Sequence, residues 1–190
     1  MKKRKINIHE ARNRPMVVGI GLPKTGTTSL RSALGILGYD IGNVKELDNP
    51  YKDAFVGDSL LLPTTRYREI DIMYPNAMFI LTLRKTPEIW YNSVDRWANL
   101  PNKKDHAGLR KQRKSMYGYE MPEKDPFIFY YKNHCEEVMD HFEYKYGAKA
   151  KEKLLIVCWE TGDGWEEVCE FLTRPVPDRP FPMKNRNKKR

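Results

Sequence analysis

Cysteine is scarce in this chain of 190 residues: Cys135, Cys158 and Cys169 are odd in number, far apart, and show neither CxxC nor Cys/His ligand spacing. That excludes a disulfide framework and a zinc-finger type of site, and makes a reduced, intracellular protein the expectation. Long hydrophobic runs are also missing. Nothing approaches the roughly 18 to 20 consecutive apolar residues that a helical membrane span needs, so a soluble, cytoplasmic protein is expected. The opening MKKRKINIHEARNR is basic but has no apolar segment behind it, unlike a secretory leader. There is no internal repeat and no low-complexity tract. With 40% hydrophobic and 12% aromatic residues, the composition excludes a disordered or collagen-like chain.

The formal charge is +9, but its placement changes its meaning. Residues 1–14 and 184–190 together hold eleven of the 34 bases and one of the 25 acids, leaving 23 bases and 24 acids in between. The basic balance therefore belongs to two tails that flank a near-neutral domain, residues 15–183. Such tails are more often solvated ends than nucleic-acid arms, so a nucleic-acid partner is not expected. Inside the domain one patch stands out: Lys103, Lys104, Arg110, Lys111, Arg113 and Lys114, with only Asp105 against them. It reads equally as a surface loop and as a site that attracts an anionic substrate.

Strands and helices alternate along the domain. Met16 to Ile20 is a short apolar run that reads as a buried strand, followed by a glycine-containing loop and a helix with Leu30, Ala33, Leu34 and Leu37 at helical spacing. Asp53 to Gly57 predicts a second strand. Thr64 to Tyr74 places Tyr67, Ile70 and Tyr74 on one helical face. Ala77 to Leu83 is apolar nearly throughout, as in a parallel strand covered on both faces. Thr86-Pro87-Glu88 then opens a helix through Trp90, Ser93, Val94 and Trp97, with a Thr cap and Pro at its first position. From 98 to 125 the pattern fails, which predicts a long loop or short helices. Phe127 to Lys145 gives a helix of about five turns closed by Gly147; Leu154 to Val157 is a last strand and Gly164 to Leu172, capped by Asp163, a last helix. This alternation predicts an α/β fold in three layers with a mostly parallel sheet, whose ligands bind beyond the carboxyl ends of the strands.

The loop Gly21-Leu22-Pro23-Lys24-Thr25-Gly26-Thr27-Thr28 nearly satisfies the phosphate-binding pattern GxxxxGK[ST], with Thr27 where lysine belongs and the lysine displaced to Lys24. Gly26 lets the backbone wrap an anion. The amides of Thr25 to Thr28 and the start of the helix face it, and the hydroxyls of Thr27 and Thr28 can add donors. A tight turn that needs glycine for packing alone is the competing reading. Arg84, at the carboxyl end of a strand, suits a forked contact with phosphate, with Ser93 near the same helix face as Trp90 and Trp97.

Three segments resemble sulfotransferases that use 3′-phosphoadenosine 5′-phosphosulfate (PAPS). GLPKTGTTSL is similar to that family's 5′-phosphosulfate motif, FILTLRKTPEIWYNSV to its 3′-phosphate motif, and GWEEVCEFLTRPVPDRPFP to its C-terminal segment. The resemblance implies a P-loop-NTPase-like fold and transfer of a sulfuryl group to a hydroxyl or amine of a small-molecule or saccharide acceptor, with adenosine 3′,5′-bisphosphate (PAP) as product. It places Lys24 at the bridging and transferring oxygens, Thr25, Gly26, Thr27 and Thr28 around the 5′-phosphate, and Arg84 with Ser93 on the 3′-phosphate. One departure stands out. Many cytosolic members close the 3′-phosphate with a late Arg-Lys-Gly loop that this chain lacks, and the basic run from Lys184 and Arg186 onward is a substitute the sequence leaves open. Trp159 and Trp165 are each open to a role as adenine platform or as core.

Sulfuryl transfer needs an activated nucleophile, in-line geometry and charge stabilisation on the leaving oxygen. A sulfuryl group carries less negative charge than a phosphoryl group, so lysine and amides can serve without a metal. A general base must take the acceptor proton, and Glu46, after the first helix, and Asp58, at the mouth of the second strand, are the candidates. His106 and His134 are weaker ones. Two other readings compete: a P-loop nucleotide or small-molecule kinase, against which the missing GK[ST] lysine counts, and a noncatalytic anion- or nucleic-acid-binding protein using the basic tails.

Overall fold

A computed structural model describes residues 15–42, 46, 49, 52–57 and 66–184. Its centre is a five-stranded, all-parallel sheet in the order β2-β3-β1-β4-β5, built from β1 Val17–Gly19, β2 Ile41–Gly42, β3 Ala54–Val56, β4 Met78–Thr82 and β5 Leu154–Val157. The helices are α1 Thr27–Ile36, α2 Tyr67–Met73, α3 Pro87–Ala98, α4 Pro101–Lys104, α5 Ala107–Tyr117, α6 Lys124–Tyr146, α7 Ala150–Lys153 and α8 Trp165–Phe171. The chain runs from β1 outward to β2 and β3 on one side and returns to β4 and β5 on the other. The carboxyl end of β1 is therefore the point where strand order reverses, the place where such sheets open a crevice.

Period-two alternation divides the core between the two faces of the sheet. Val17 and Ile80 point to one face and meet Leu30 and Leu34 of α1 and Val168 of α8. Val18, Ile20, Phe79 and Leu81 point to the other and meet Tyr67 and Ile70 of α2 and Val138 and Phe142 of α6. These core side chains are almost entirely withdrawn from water, and burying each such chain favours the fold by roughly 1.5–3 kcal/mol. A third cluster, with Leu22, Trp90, Val94, Phe127 and Tyr131, fastens α3 and α6 beside the loop that follows β1. The predicted three-layer α/β architecture is the observed one.

Several local expectations change. β2 is only two residues long, too short for alternation to reveal it. The segment 98–125 contains α4 and α5. α5 has no apolar stripe, since its one buried residue is Arg113, so hydrophobic periodicity could not announce it. Its start is made instead by His106, whose Nδ1 accepts the Leu109 N–H at 3.3 Å. Asp163 does not cap α8. Its carboxylate turns back to accept the Cys158 N–H at 2.6 Å, and the Gly164 N–H at the helix start donates to Glu167 Oε2 at 2.7 Å. Thr86 does cap α3, accepting the Ile89 N–H at 3.3 Å ahead of Pro87. All three cysteines are free, and among the described residues no helix is long and apolar enough to cross a membrane.

Candidate active site

The loop from Gly21 to Gly26 is held from below and from both sides. Ile20 N–H donates to Ile80 O at 2.9 Å, and the buried His134 donates from Nε2 to Ile20 O at 3.1 Å. Burial lowers the His134 imidazole from its ordinary value, so it serves as a neutral prop beneath the loop. A Cβ on Gly21 would run into the Thr82 and Thr25 hydroxyls, so only glycine lets β4 approach this closely. Thr25 is turned inward. Its amide and hydroxyl both donate to Leu22 O, at 3.2 and 2.7 Å, which leaves the Thr82 hydroxyl to donate to Thr25 Oγ1 at 2.6 Å. Thr25 thus shapes the loop and has no donor left for a ligand.

Gly26 has φ 101° and sits against the Trp159 ring, where a side chain would collide. Its carbonyl accepts the Ser29 N–H at 2.9 Å and the Trp159 indole N–H at 3.2 Å. Among the described residues, the amides of Gly26, Thr27 and Thr28 have no protein acceptor, as expected at the first turn of a helix. These three amides could cradle an anion. Lys24 occupies the left-handed region at φ 74°, a conformation that costs a residue with a side chain roughly 1–2 kcal/mol. Burial first, then the guanidinium groups of Arg84 and Arg96, lower its ammonium from the ordinary lysine value. Its Nζ lies 5.7 Å from the centre of the Trp97 ring, and Lys103 Nζ lies 5.9 Å from the same ring.

α3 faces this loop. Trp90 donates its indole N–H to Pro23 O at 2.9 Å, and Trp97, two turns on, meets Lys24. Ser93 falls between them on the helix, half-buried, and its hydroxyl has no hydrogen-bond partner among the described residues. Arg84 is fixed through its backbone, its N–H donating to the Tyr131 hydroxyl at 2.9 Å. Its guanidinium is paired within the protein: Nη2 lies 3.0 Å from Glu160 Oε1, while Nε is buried and, among the described residues, without a partner. Sequence pattern does not flag Glu160, although its place just beyond the end of β5 is where site residues gather.

The two candidate bases fare differently. Glu46 lies in the connection between β2 and β3, where its charge acts with Asp40 and Asp53 on Lys52. Asp58 lies outside the described residues, but Gly57 before it is within the site: a Cβ there would be 3.8 Å from the Thr27 methyl. Trp159 and Trp165 are both core. They are 7% and 8% exposed, they pack on Phe181 with ring centroids 4.6 and 5.1 Å apart, and the Trp165 indole donates to Arg179 O at 2.7 Å. The C-terminal segment returns to the loop, where Lys184 N–H donates to the buried Ser29 hydroxyl at 2.9 Å. Residues 185–190 lie outside the described part. In the basic patch Arg110 is bonded to Glu120 and Arg113 is buried, while Lys103 meets the loop through Trp97. His106 is occupied as the cap of α5.

Three amides at a helix start, a lysine lowered by burial and an arginine whose buried Nε lacks a partner among the described residues are groups that could take a polyanionic ligand. These groups could hold a nucleotide with phosphates at both ends, the amides taking the 5′ side and Arg84 with Ser93 the 3′ side. No curated protein matches the chain. A family described as sulfotransferase domain matches residues 16–54 and 61–190. On that match and this fold, the chain belongs to the sulfotransferase domain family, whose chemistry is sulfuryl transfer.

Proposed function

We propose that the protein moves a sulfuryl group from PAPS to a hydroxyl or amine of a small-molecule or saccharide acceptor, without a metal, releasing PAP. The observation that carries this reading is Lys24: a partly buried ammonium, held at a positive φ beside the free amides of α1 and lowered by burial, Arg84 and Arg96. A cation placed there stabilises charge that develops on the oxygen between phosphorus and sulfur as the S–O bond breaks. When bound, the donor supplies the activated sulfuryl group. Gly26, Thr27 and Thr28 hold its 5′-phosphate through their amides, Thr27 and Thr28 adding hydroxyls, and Arg84 with Ser93 hold the 3′-phosphate. A carboxylate takes the acceptor proton, and Asp58 is favoured over Glu46 because Gly57 abuts Thr27. Trp97 and Lys103 stand on the lysine side of the loop, where an acceptor would sit. An aromatic face with a lysine beside it suits an anionic saccharide or similar acceptor.

The test is transfer of label from [35S]PAPS, in excess EDTA, to a panel of phenols, aliphatic alcohols, amino sugars and uronate-containing disaccharides. Labelled product from at least one acceptor, reduced at least 100-fold in Lys24→Met, is the expected result. No transfer to any of them, with magnesium-dependent consumption of ATP instead, would return the assignment to the kinase reading.

A further inference from the structure

The ion pair between Arg84 and Glu160 has a consequence for how the site handles its ligand. Glu160 sits on a stiff turn. The Thr161 N–H and hydroxyl both donate to Cys158 O, at 3.0 and 2.8 Å, and Asp163 accepts the Cys158 N–H. Trp159 anchors the turn to Gly26. From it the Glu160 carboxylate reaches across with both oxygens, Oε2 accepting the Lys85 N–H at 2.9 Å and Oε1 lying 3.0 Å from Arg84 Nη2. Arg84 Nε, on the same edge of the guanidinium, is buried and has no partner among the described residues. A guanidinium binds phosphate best by two parallel N–H donors from one edge. A phosphate taken by Nε and Nη2 together would lie against Glu160 Oε1 at Nη2, and a carboxylate left beside a phosphate would repel it.

We propose that Glu160 is the resident counter-ion of the donor site: it occupies Arg84 in the empty protein, is displaced by a ligand's 3′-phosphate, and reclaims the arginine as that ligand leaves. The inference rests on the donor reading above. Glu160 thereby weakens the hold on a bisphosphate product and spares the free site a bare guanidinium. A nucleotide without a 3′-phosphate leaves the pair intact, so its affinity does not depend on residue 160.

Calorimetric titrations of wild type, Glu160→Gln, Arg84→Ala and the double variant with PAP and with AMP, at about 0.15 M ionic strength where distant charges are screened, test this. Glutamine keeps the length of the side chain and an acceptor for the Lys85 N–H, and thermal melts confirm that each variant is folded. The expected result is PAP binding about tenfold tighter in Glu160→Gln, or about 1.4 kcal/mol. AMP binding should be unchanged, and the gain should be absent when Arg84 is also removed. Bisphosphate binding in Glu160→Gln with none detectable in wild type would support the inference in its strongest form. Unchanged or weaker PAP binding overturns it, since Glu160 would then orient Arg84 rather than compete for it. Equal tightening of PAP and AMP also overturns it, as a general effect of removing one negative charge. No PAP binding by either protein removes the donor reading, and this inference with it.

Discussion

Within the loop, neighbouring threonines do opposite work. Thr25 has both of its donors on Leu22 O and receives the Thr82 hydroxyl, so it is part of the scaffold. Thr28, the second residue of α1, has an amide and a hydroxyl with no partner among the described residues. Thr25→Val should therefore cost about 1–3 kcal/mol of stability, because it leaves buried partners unsatisfied; a denaturant melt reads it. Thr28→Val should leave the melt within about 0.5 kcal/mol of wild type and weaken PAP binding severalfold. The motif GLPKTGTTSL does not separate these roles, because spacing shows which residues are near an anion and not which way each hydroxyl turns. The positions of Lys24 in the loop and of Arg84 just past the end of β4 were legible, because the glycine pattern and the apolar run place them directly. Glu160 was not legible, since an acid in a turn is ordinary until the fold sets it on Arg84.

Among the elements, the contact of α2 with α6 turns on one buried carboxylate. Asp71 is 1% exposed and accepts from His141 Nε2 at 2.9 Å, Lys145 Nζ at 2.6 Å and the Tyr146 hydroxyl at 2.5 Å. Burial alone would raise its carboxyl, but the bonds from Lys145, Tyr146 and His141 outweigh it and hold the group below its ordinary value. A depressed carboxyl stabilises the fold above its unfolded value, near pH 4, and that contribution is lost as the pH falls through the lower, folded value. Asp71→Asn should cost about 1–3 kcal/mol at neutral pH, since it weakens three hydrogen bonds at a buried acceptor while Lys145 itself keeps access to water. The gap to wild type should narrow on acidification below pH 4, as urea melts across pH 2–7 would show. The apolar periodicity of α2 and α6 was plain in the sequence, but this polar clasp was not, because it joins residues some 70 positions apart.

For the molecule as a whole, the order β2-β3-β1-β4-β5 decides what meets what. It sets the ends of β3 and β4 on either side of the loop after β1, and that brings Thr82 and Arg84 to one flank and Gly57 to the other. The alternation of strands and helices was readable, and with it the layers, but strand order depends on long-range pairing that local pattern does not encode. The proposed ranking of the candidate bases is tested by substitution. Asp58→Asn should lower kcat by about 10²- to 10⁴-fold with little change in PAP affinity, while Glu46→Gln should leave kcat within about threefold of wild type. The reverse ranking in initial-rate assays would move the proton to Glu46.

The most direct test of the account is calorimetric titration with PAP in EDTA, beside ATP with magnesium, on wild type and Arg84→Ala. Micromolar, metal-independent binding of PAP that weakens by tenfold or more in the variant, about 1.4 kcal/mol, is the predicted result. Binding of magnesium-ATP with no response to PAP would contradict the account at its centre.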